Sequence, residues 1–275
     1  MGMTRPILLV LAAAVSGAVF AQAPDDDDAA VRAERWAQLQ RAIFDDRTVQ
    51  DGSSVLRLDA PPRAHDAALV PLTVTTTGSE PIKSVYLIID NNPGPLAGTF
   101  TFGPAADPSA LKVRMRVNTY TNVHAVAEGA DGNLYSVERF VKAAGGCSAP
   151  AGSNDEESLR NLGQMRLRLM DDFEPGKPIQ AQLMIRHPNF NGMQMDQLTR
   201  HYTPAHFIKT IEITYGEHDV LRVKSDIALS TDPVISFGFV PREKGQLKVV
   251  VTDSKESRFE RAFDVPAVQR LSDAS

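Results

Sequence analysis

The 275-residue chain has one cysteine, Cys147, and one tryptophan, Trp36. A single cysteine excludes any disulfide within the chain. There is no Cys-x-x-Cys-His haem sequence, no glycine-rich phosphate loop, no serine-nucleophile elbow and no His-Glu-x-x-His pair, so none of those motif-borne chemistries is signalled. Positive charge is not in excess: 34 acidic residues face 29 basic ones, for a net charge of −5. That balance lacks the basic face that nucleic-acid binding requires. Long apolar runs are missing too. The most apolar stretch, Ile7 to Phe20, is shorter than the roughly 20 residues that span a bilayer.

That stretch has a different meaning. Arg5 supplies a positive start, Ile7 to Phe20 an apolar middle, and Ala21 a small-residue cleavage site, the pattern of a secretory signal over residues 1–21. Ala23 is a poorer cleavage site because Pro24 would then begin the mature chain. Removing residues 1–21 takes away Arg5 and leaves 28 basic against 34 acidic residues, net −6. Export of this kind implies an oxidising compartment, most simply the bacterial periplasm, and no membrane contact after signal cleavage.

In such a compartment an odd cysteine implies pairing between chains or a free reactive thiol. Cys147 lies in Ala143-Ala144-Gly145-Gly146-Cys147-Ser148-Ala149-Pro150-Ala151-Gly152, where no neighbour is bulky, charged or aromatic. The composition predicts a flexible arm, with Gly145, Gly146 and Gly152 as swivels, holding an exposed sulfur up to about 17 Å beyond Lys142. Exposure would also permit a disulfide-linked dimer. No histidine is adjacent in sequence, and His124 falls on a predicted strand, so no Cys-His nucleophile pair is visible. Arg139 and Lys142 are the nearby cations.

Around this arm the chain reads as two strand-rich halves. Asp25 to Asp28 precede Ala29 to Phe44, where Trp36, Leu39, Ile43 and Phe44 recur at helical spacing and the acids suit the helix N-terminus. Short β-branched segments follow at 68–77, 82–90, 99–102, 111–117, 119–128 and 133–142, with turn signals at Asp90-Asn91-Asn92-Pro93-Gly94 and Asp131-Gly132. Further strands are predicted at 166–169, 178–186, 207–214, 220–223, 234–240, 247–251 and 257–263. This spacing predicts a mainly β protein of two immunoglobulin-like β-sandwich domains with one N-terminal helix. The boundaries are residues 24–144 for the first sandwich, 145–158 for the arm and linker, and 159–268 for the second. His201 and His206 lack zinc-protease spacing, and His206 fits a strand start or a face toward the other domain. The polar loop with Met193 and Met195 is expected to contact the first domain; no metal site is assigned.

These residues carry a resemblance. The first half resembles SoxY, the sulfur-carrying subunit of bacterial thiosulfate oxidation, through Trp36, Leu39, Ile43-Phe44, Asp90-Asn91-Asn92-Pro93-Gly94-Pro95, Arg114-Met115-Arg116-Val117, the Asp131-Gly132 hairpin and Gly145-Gly146-Cys147. The second resembles its partner SoxZ through His187-Pro188, Pro204-Ala205-His206-Phe207-Ile208, Ser230-Thr231-Asp232-Pro233 and Gly245. Order and fusion are similar to the SoxYZ-like carriers associated with quinoprotein dehydrogenases. One departure stands out: in SoxY the cysteine arm ends the chain, whereas here it is tethered at both ends.

The resemblance implies a non-enzymatic periplasmic carrier. Cys147 would covalently hold a small, sulfur-containing intermediate, with no cofactor on this chain beyond that cargo. Its partners would be periplasmic sulfur-oxidation enzymes, a quinoprotein dehydrogenase and c-type cytochromes. Two other classes remain open: a non-covalent accessory of a quinoprotein (PQQ) dehydrogenase, with Cys147 unused, and a cysteine-dependent enzyme. The halves are expected to stay together after a cut in 149–154.

Overall fold

The computed structural model describes residues 28–149, 155–195 and 200–266. The signal segment, Asp25 to Asp27 and Gly152 lie outside the described residues. Helix α1 (Ala29–Phe44) coincides with the predicted span, and Asp28 caps it by accepting the Ala30 amide at 2.8 Å. In the first half follow β1 (Val49–Asp51), β2 (Leu56–Asp59), β3 (Val70–Thr76), β4 (Ile82–Ile89), β5 (Leu96–Phe102), β6 (Ala106–Met115), β7 (Thr121–Gly129) and β8 (Leu134–Val141). The second half holds the short helix α2 (Asp155–Arg160) and strands β9 (Met165–Leu169), β10 (Ile179–Ile185), β11 (Ile208–Tyr215), β12 (His218–Ser225), β13 (Val234–Phe239), β14 (Gly245–Asp253) and β15 (Arg258–Val265).

Strand alternation builds the core. Ile179, Ala181, Leu183 and Ile185 of β10 point inward, as do Leu247, Val249 and Val251 of β14, and the residues between them, among them Gln180, Gln182 and Lys248, are less buried. Strand β7 is buried at every position because both its faces are covered. Val123, Ala125 and Ala127 enter the core between the sheets, while Val126 joins Ile88 and Leu134 beneath Trp36, Leu39, Ile43 and Phe44 of α1.

The two immunoglobulin-like sandwiches are fused edge to edge. One sheet has nine strands in the order β1-β8-β7-β4-β5-β12-β11-β14-β15, and the other six, β2-β3-β6-β13-β10-β9. The halves therefore meet twice through backbone ladders. Strand β5 pairs with β12, from Phe102 opposite Leu221 to Gly98 opposite Ser225, and β6 pairs with β13 at Lys112–Ser236 and Ala106–Phe239. Strand β6 begins at Ala106, before the predicted Leu111, because Ala106 and Asp107 complete this junction although Asp107-Pro108-Ser109 reads as a loop. Residues of both halves form one hydrophobic core. Among the described residues no helix is long and apolar enough to cross a membrane.

Candidate functional site

The arm leaves β8 and runs into the seam between the halves. Lys142 donates its amide to the Pro62 carbonyl at 3.0 Å, Gly145 to Asn118 at 2.7 Å, and Gly146 to Val117 at 3.2 Å. Ser148 turns back to the Gly145 carbonyl at 3.1 Å. Beneath them Asn92 acts as a strut: its Nδ2 donates to the Arg116 carbonyl at 2.8 Å and its Oδ1 accepts the Asn118 amide at 2.9 Å. The Asp90-to-Gly94 turn of the sequence thus fixes the ledge on which the arm lies. From the other half, Asn191 Nδ2 donates to the Cys147 carbonyl at 2.6 Å.

This arrangement corrects the expectation of an exposed swivelling stalk. Cys147 is 1% exposed. Gly145 does use a backbone conformation that favours glycine, φ +73°. Gly146 is required by close packing instead: a Cβ there would lie 2.1 Å from the Ala67 oxygen and 2.4 Å from that of Val117. The small residues that read as freedom are, in this position, what lets the arm enter a narrow slot. Gly152, the third assigned swivel, is among the residues not described.

Electrostatics follow from burial. Loss of solvent pushes the Cys147 thiol up to about 11, opposed by the positive charge of Arg116. The sulfur is therefore protonated at neutral pH and a poor nucleophile where it sits. The cation acting on it is Arg116 rather than Arg139 or Lys142. Arg116 is itself buried, and its Nη2 donates to the Asn189 carbonyl at 3.2 Å and to Thr231 Oγ1 at 2.8 Å. Arg139 bonds the Glu138 carbonyl, and Lys142 lies over the rings of Tyr120 and Phe140. The sequence did not reveal Asn191, which bonds the arm directly, or Asn92, Arg116 and Asn189, which brace the backbone around it. The one available signal was the run His187-Pro188-Asn189-Phe190-Asn191-Gly192, with buried-turn amides at alternate positions. The expected contact of this loop with the first half is made by Asn189, whose carbonyl accepts from Arg116, while Asn191 reaches the arm.

Two histidine-bearing groups lie off the arm itself. His124 stacks on Trp36, with centroids 3.7 Å apart and planes at 6°, and its Nε2 is 3.2 Å from Asp90 Oδ2. It secures α1 to the sheet and takes no part in the seam. In the second half His206 is buried, and its Nε2 donates to Asp253 Oδ2 at 2.7 Å. Burial pushes the Asp253 carboxyl up, but the bonds from His206 and from the Ser257 and Lys255 amides outweigh it and hold the group low. His187 is pushed down to about 4 by burial and then by His206. The donor atoms of His187, His206 and Asp253 lie within 4.8 Å of one another. However, the Asn189 amide donates to His187 Nδ1 at 3.0 Å, so neutral His187 keeps its proton on Nε2, the atom facing Asp253. The His206–Asp253 and Asn189–His187 bonds staple this corner of the domain, while His187 Nε2, 3.6 Å from Asp253 Oδ2, makes no hydrogen bond among the described residues.

Comparison with known proteins agrees with this division. A family model for the sulfur oxidation protein SoxY matches residues 40–147, ending on the arm cysteine. A model for the sulphur oxidation protein SoxZ matches residues 167–264. No curated protein matches the sequence. Among solved structures, the sulfur carrier protein SoxY from Chlorobium limicola f thiosulfatophilum is 26% identical, covering 42% of this chain and 96% of its own, with a TM-score of 0.36. A beta-glycosidase from Bacteroides vulgatus is 10% identical, covering 76% of this chain and 24% of its own, with a TM-score of 0.24. With the two models side by side over most of its length, the chain belongs to the SoxYZ-like sulfur oxidation proteins, a SoxY domain followed in the same polypeptide by a SoxZ domain.

Proposed function

We propose that this protein is an exported carrier for sulfur-oxidation chemistry, with Cys147 as the atom that bears the cargo. The observation that carries the reading is the position of that cysteine. It is the last residue of the SoxY match and the only thiol in the chain, on an arm held chiefly by backbone hydrogen bonds. Loading is a displacement. The Cys147 thiolate attacks an electrophilic sulfur, a bond to Sγ forms as the bond to the leaving group breaks, and the thiol proton goes to solvent. At 1% exposure the sulfur cannot do this in place, so the reading requires a second position of the arm outside the seam. Enzymes of sulfur oxidation load and unload it; among the described residues no base is hydrogen-bonded to the thiol, in keeping with a carrier rather than a catalyst. The signal-like pattern of residues 1–21 supports a periplasmic location, and a mature N-terminus at Gln22 is the expected result of N-terminal sequencing.

Burial of the thiol favours one competing reading, in which Cys147 is a packing residue and the protein is a non-covalent accessory of a quinoprotein dehydrogenase and its cytochrome partner. Intact mass of the protein taken from cells separates them. The carrier shows adducts that are absent in Cys147→Ala, and that variant loses cellular function. Unmodified protein, together with full function of Cys147→Ala, would overturn the carrier reading.

A further inference from the structure

We propose that Asn191, contributed by the second half, is the clasp that positions the Cys147 arm, so that the 187–195 loop governs release of the sulfur. The inference rests on Cys147 being the cargo-bearing atom of the proposed carrier, and names how that same site is regulated.

The loop is a preformed mount. The His187 amide donates to Asp232 Oδ1 at 3.0 Å, and Asn189 ties the loop to two strands' neighbours at once: its Nδ2 donates to the Ser230 carbonyl at 2.6 Å and its Oδ1 accepts the Ile208 amide at 2.9 Å. The Phe190 carbonyl accepts the His206 amide at 2.8 Å. Behind it stands the buried staple of His187, His206 and Asp253. On this mount the Asn191 amide is divided between two tasks. Its Oδ1 accepts the Met193 amide at 2.9 Å and closes the loop's own turn, while its Nδ2 faces the other way and holds the Cys147 carbonyl at 2.6 Å. Asn191 is 5% exposed, so little water is at hand to replace a lost bond.

The bonds from Gly145 and Gly146 come from the first half, to which the arm is covalently joined, and they tie the arm to its own domain. The Asn191 bond ties it across the seam. Removing this donor leaves the Cys147 carbonyl buried without it, a loss that corresponds to roughly a tenfold to hundredfold gain in the opening equilibrium. A loop in the SoxZ domain thereby controls a cysteine in the SoxY domain, which a heterodimer would achieve between subunits and this chain achieves internally.

Asn191→Asp is the discriminating variant, because it is nearly isosteric, keeps an acceptor for the Met193 amide and lacks the donor to Cys147. The full-length reduced protein is alkylated with iodoacetamide at pH 8, with modification followed by intact mass. Amide hydrogen exchange is read over 143–149 and over 187–195. The expected result is alkylation at least tenfold faster than wild type, with faster exchange over 143–149 and unchanged exchange over 187–195. If Asn191→Asp unfolds, Asn191→Ala, which adds no charge to the seam, is scored by alkylation in the same way. Alkylation at the wild-type rate in the folded variant overturns the clasp, as does faster exchange confined to 187–195. No cargo is involved, so failure here leaves the carrier reading to its own mass test, and failure of that test leaves this one intact.

Discussion

The halves of this molecule are joined in two unlike ways. At the sheets, the β5–β12 and β6–β13 ladders carry backbone pairing across the boundary, and residues from both sides share one apolar core. At the seam, an arm of small residues is held by a few hydrogen bonds, one of them from an asparagine side chain. The first joint can be lost only with the fold, since separating it exposes Phe100, Val223, Phe237 and their neighbours. The second can be undone locally, because Gly145, Gly146 and Ser148 bury almost no apolar surface. A carrier needs this division: one joint to keep the domains in register and another to let a sulfur out.

The largest effect is expected at the first joint. Phe100 is fully buried on β5, the strand that meets β12. Phe100→Ala is expected to cost about 3–5 kcal/mol and to lower the urea midpoint of the entire molecule in one transition. Two separated transitions, one per half, would show that the shared core does not couple them.

Next comes the staple behind the clasp. His187 is held at about 4 in the fold against an ordinary 6.5, so the native state prefers it neutral. Its contribution is present in full above pH 6.5 and is lost as the pH falls toward 4, by roughly 3 kcal/mol over the window. Urea unfolding at pH 7.0 and 4.5 reads this loss, and His187→Gln is expected to flatten much of it. An equal loss in that variant would assign the acid sensitivity to other groups.

The arm itself responds in the opposite direction. With the thiol at about 11 when enclosed and 9.0 ordinarily, the closed arm prefers the neutral thiol. Its advantage is intact below pH 9 and declines between 9 and 11, by about a hundredfold in the opening equilibrium, or roughly 2.7 kcal/mol. Thiolate absorbance, taken as the difference from Cys147→Ala, is expected to titrate with a midpoint above 9. A midpoint at or below 9 would mean that the sulfur is not enclosed in solution.

The same contrast explains what could be read from the sequence. Helix α1 and the long strands declared themselves because their apolar residues repeat at the period of the element, and Asp28 marks the helix start. The three-residue β1 and four-residue β2 are too short to show a period. The edge-to-edge fusion was hidden because pairing between β6 and β13 depends on which strands become neighbours, and nothing in Asp107-Pro108-Ser109 announces a partner. Cys147 was identifiable as the residue to watch, but its burial was not. Glycine permits both a swivel and a tight approach, and only the placement of the Ala67 and Val117 carbonyls against Gly146 decides between them. Asn191 was invisible for a related reason: an asparagine in a turn usually serves its own backbone, and here only half of its amide does.

The smallest change in stability, with a large change in exposure, is expected from Gly146→Ala. The added Cβ meets backbone oxygens at 2.1 and 2.4 Å, atoms that belong to the ledge and the Ala67 turn and cannot step aside as a side chain would. If the arm were part of the rigid joint, that overlap would cost on the order of 1–3 kcal/mol of global stability, as overpacking does. If the seam is the releasable joint, the arm yields instead: the unfolding free energy from urea titration stays within about 0.5 kcal/mol of wild type, the range of an ordinary surface substitution, while iodoacetamide reaches Cys147 many times faster. A variant that loses stability and keeps its thiol protected would make the arm a fixed element of the fold, and the two joints one.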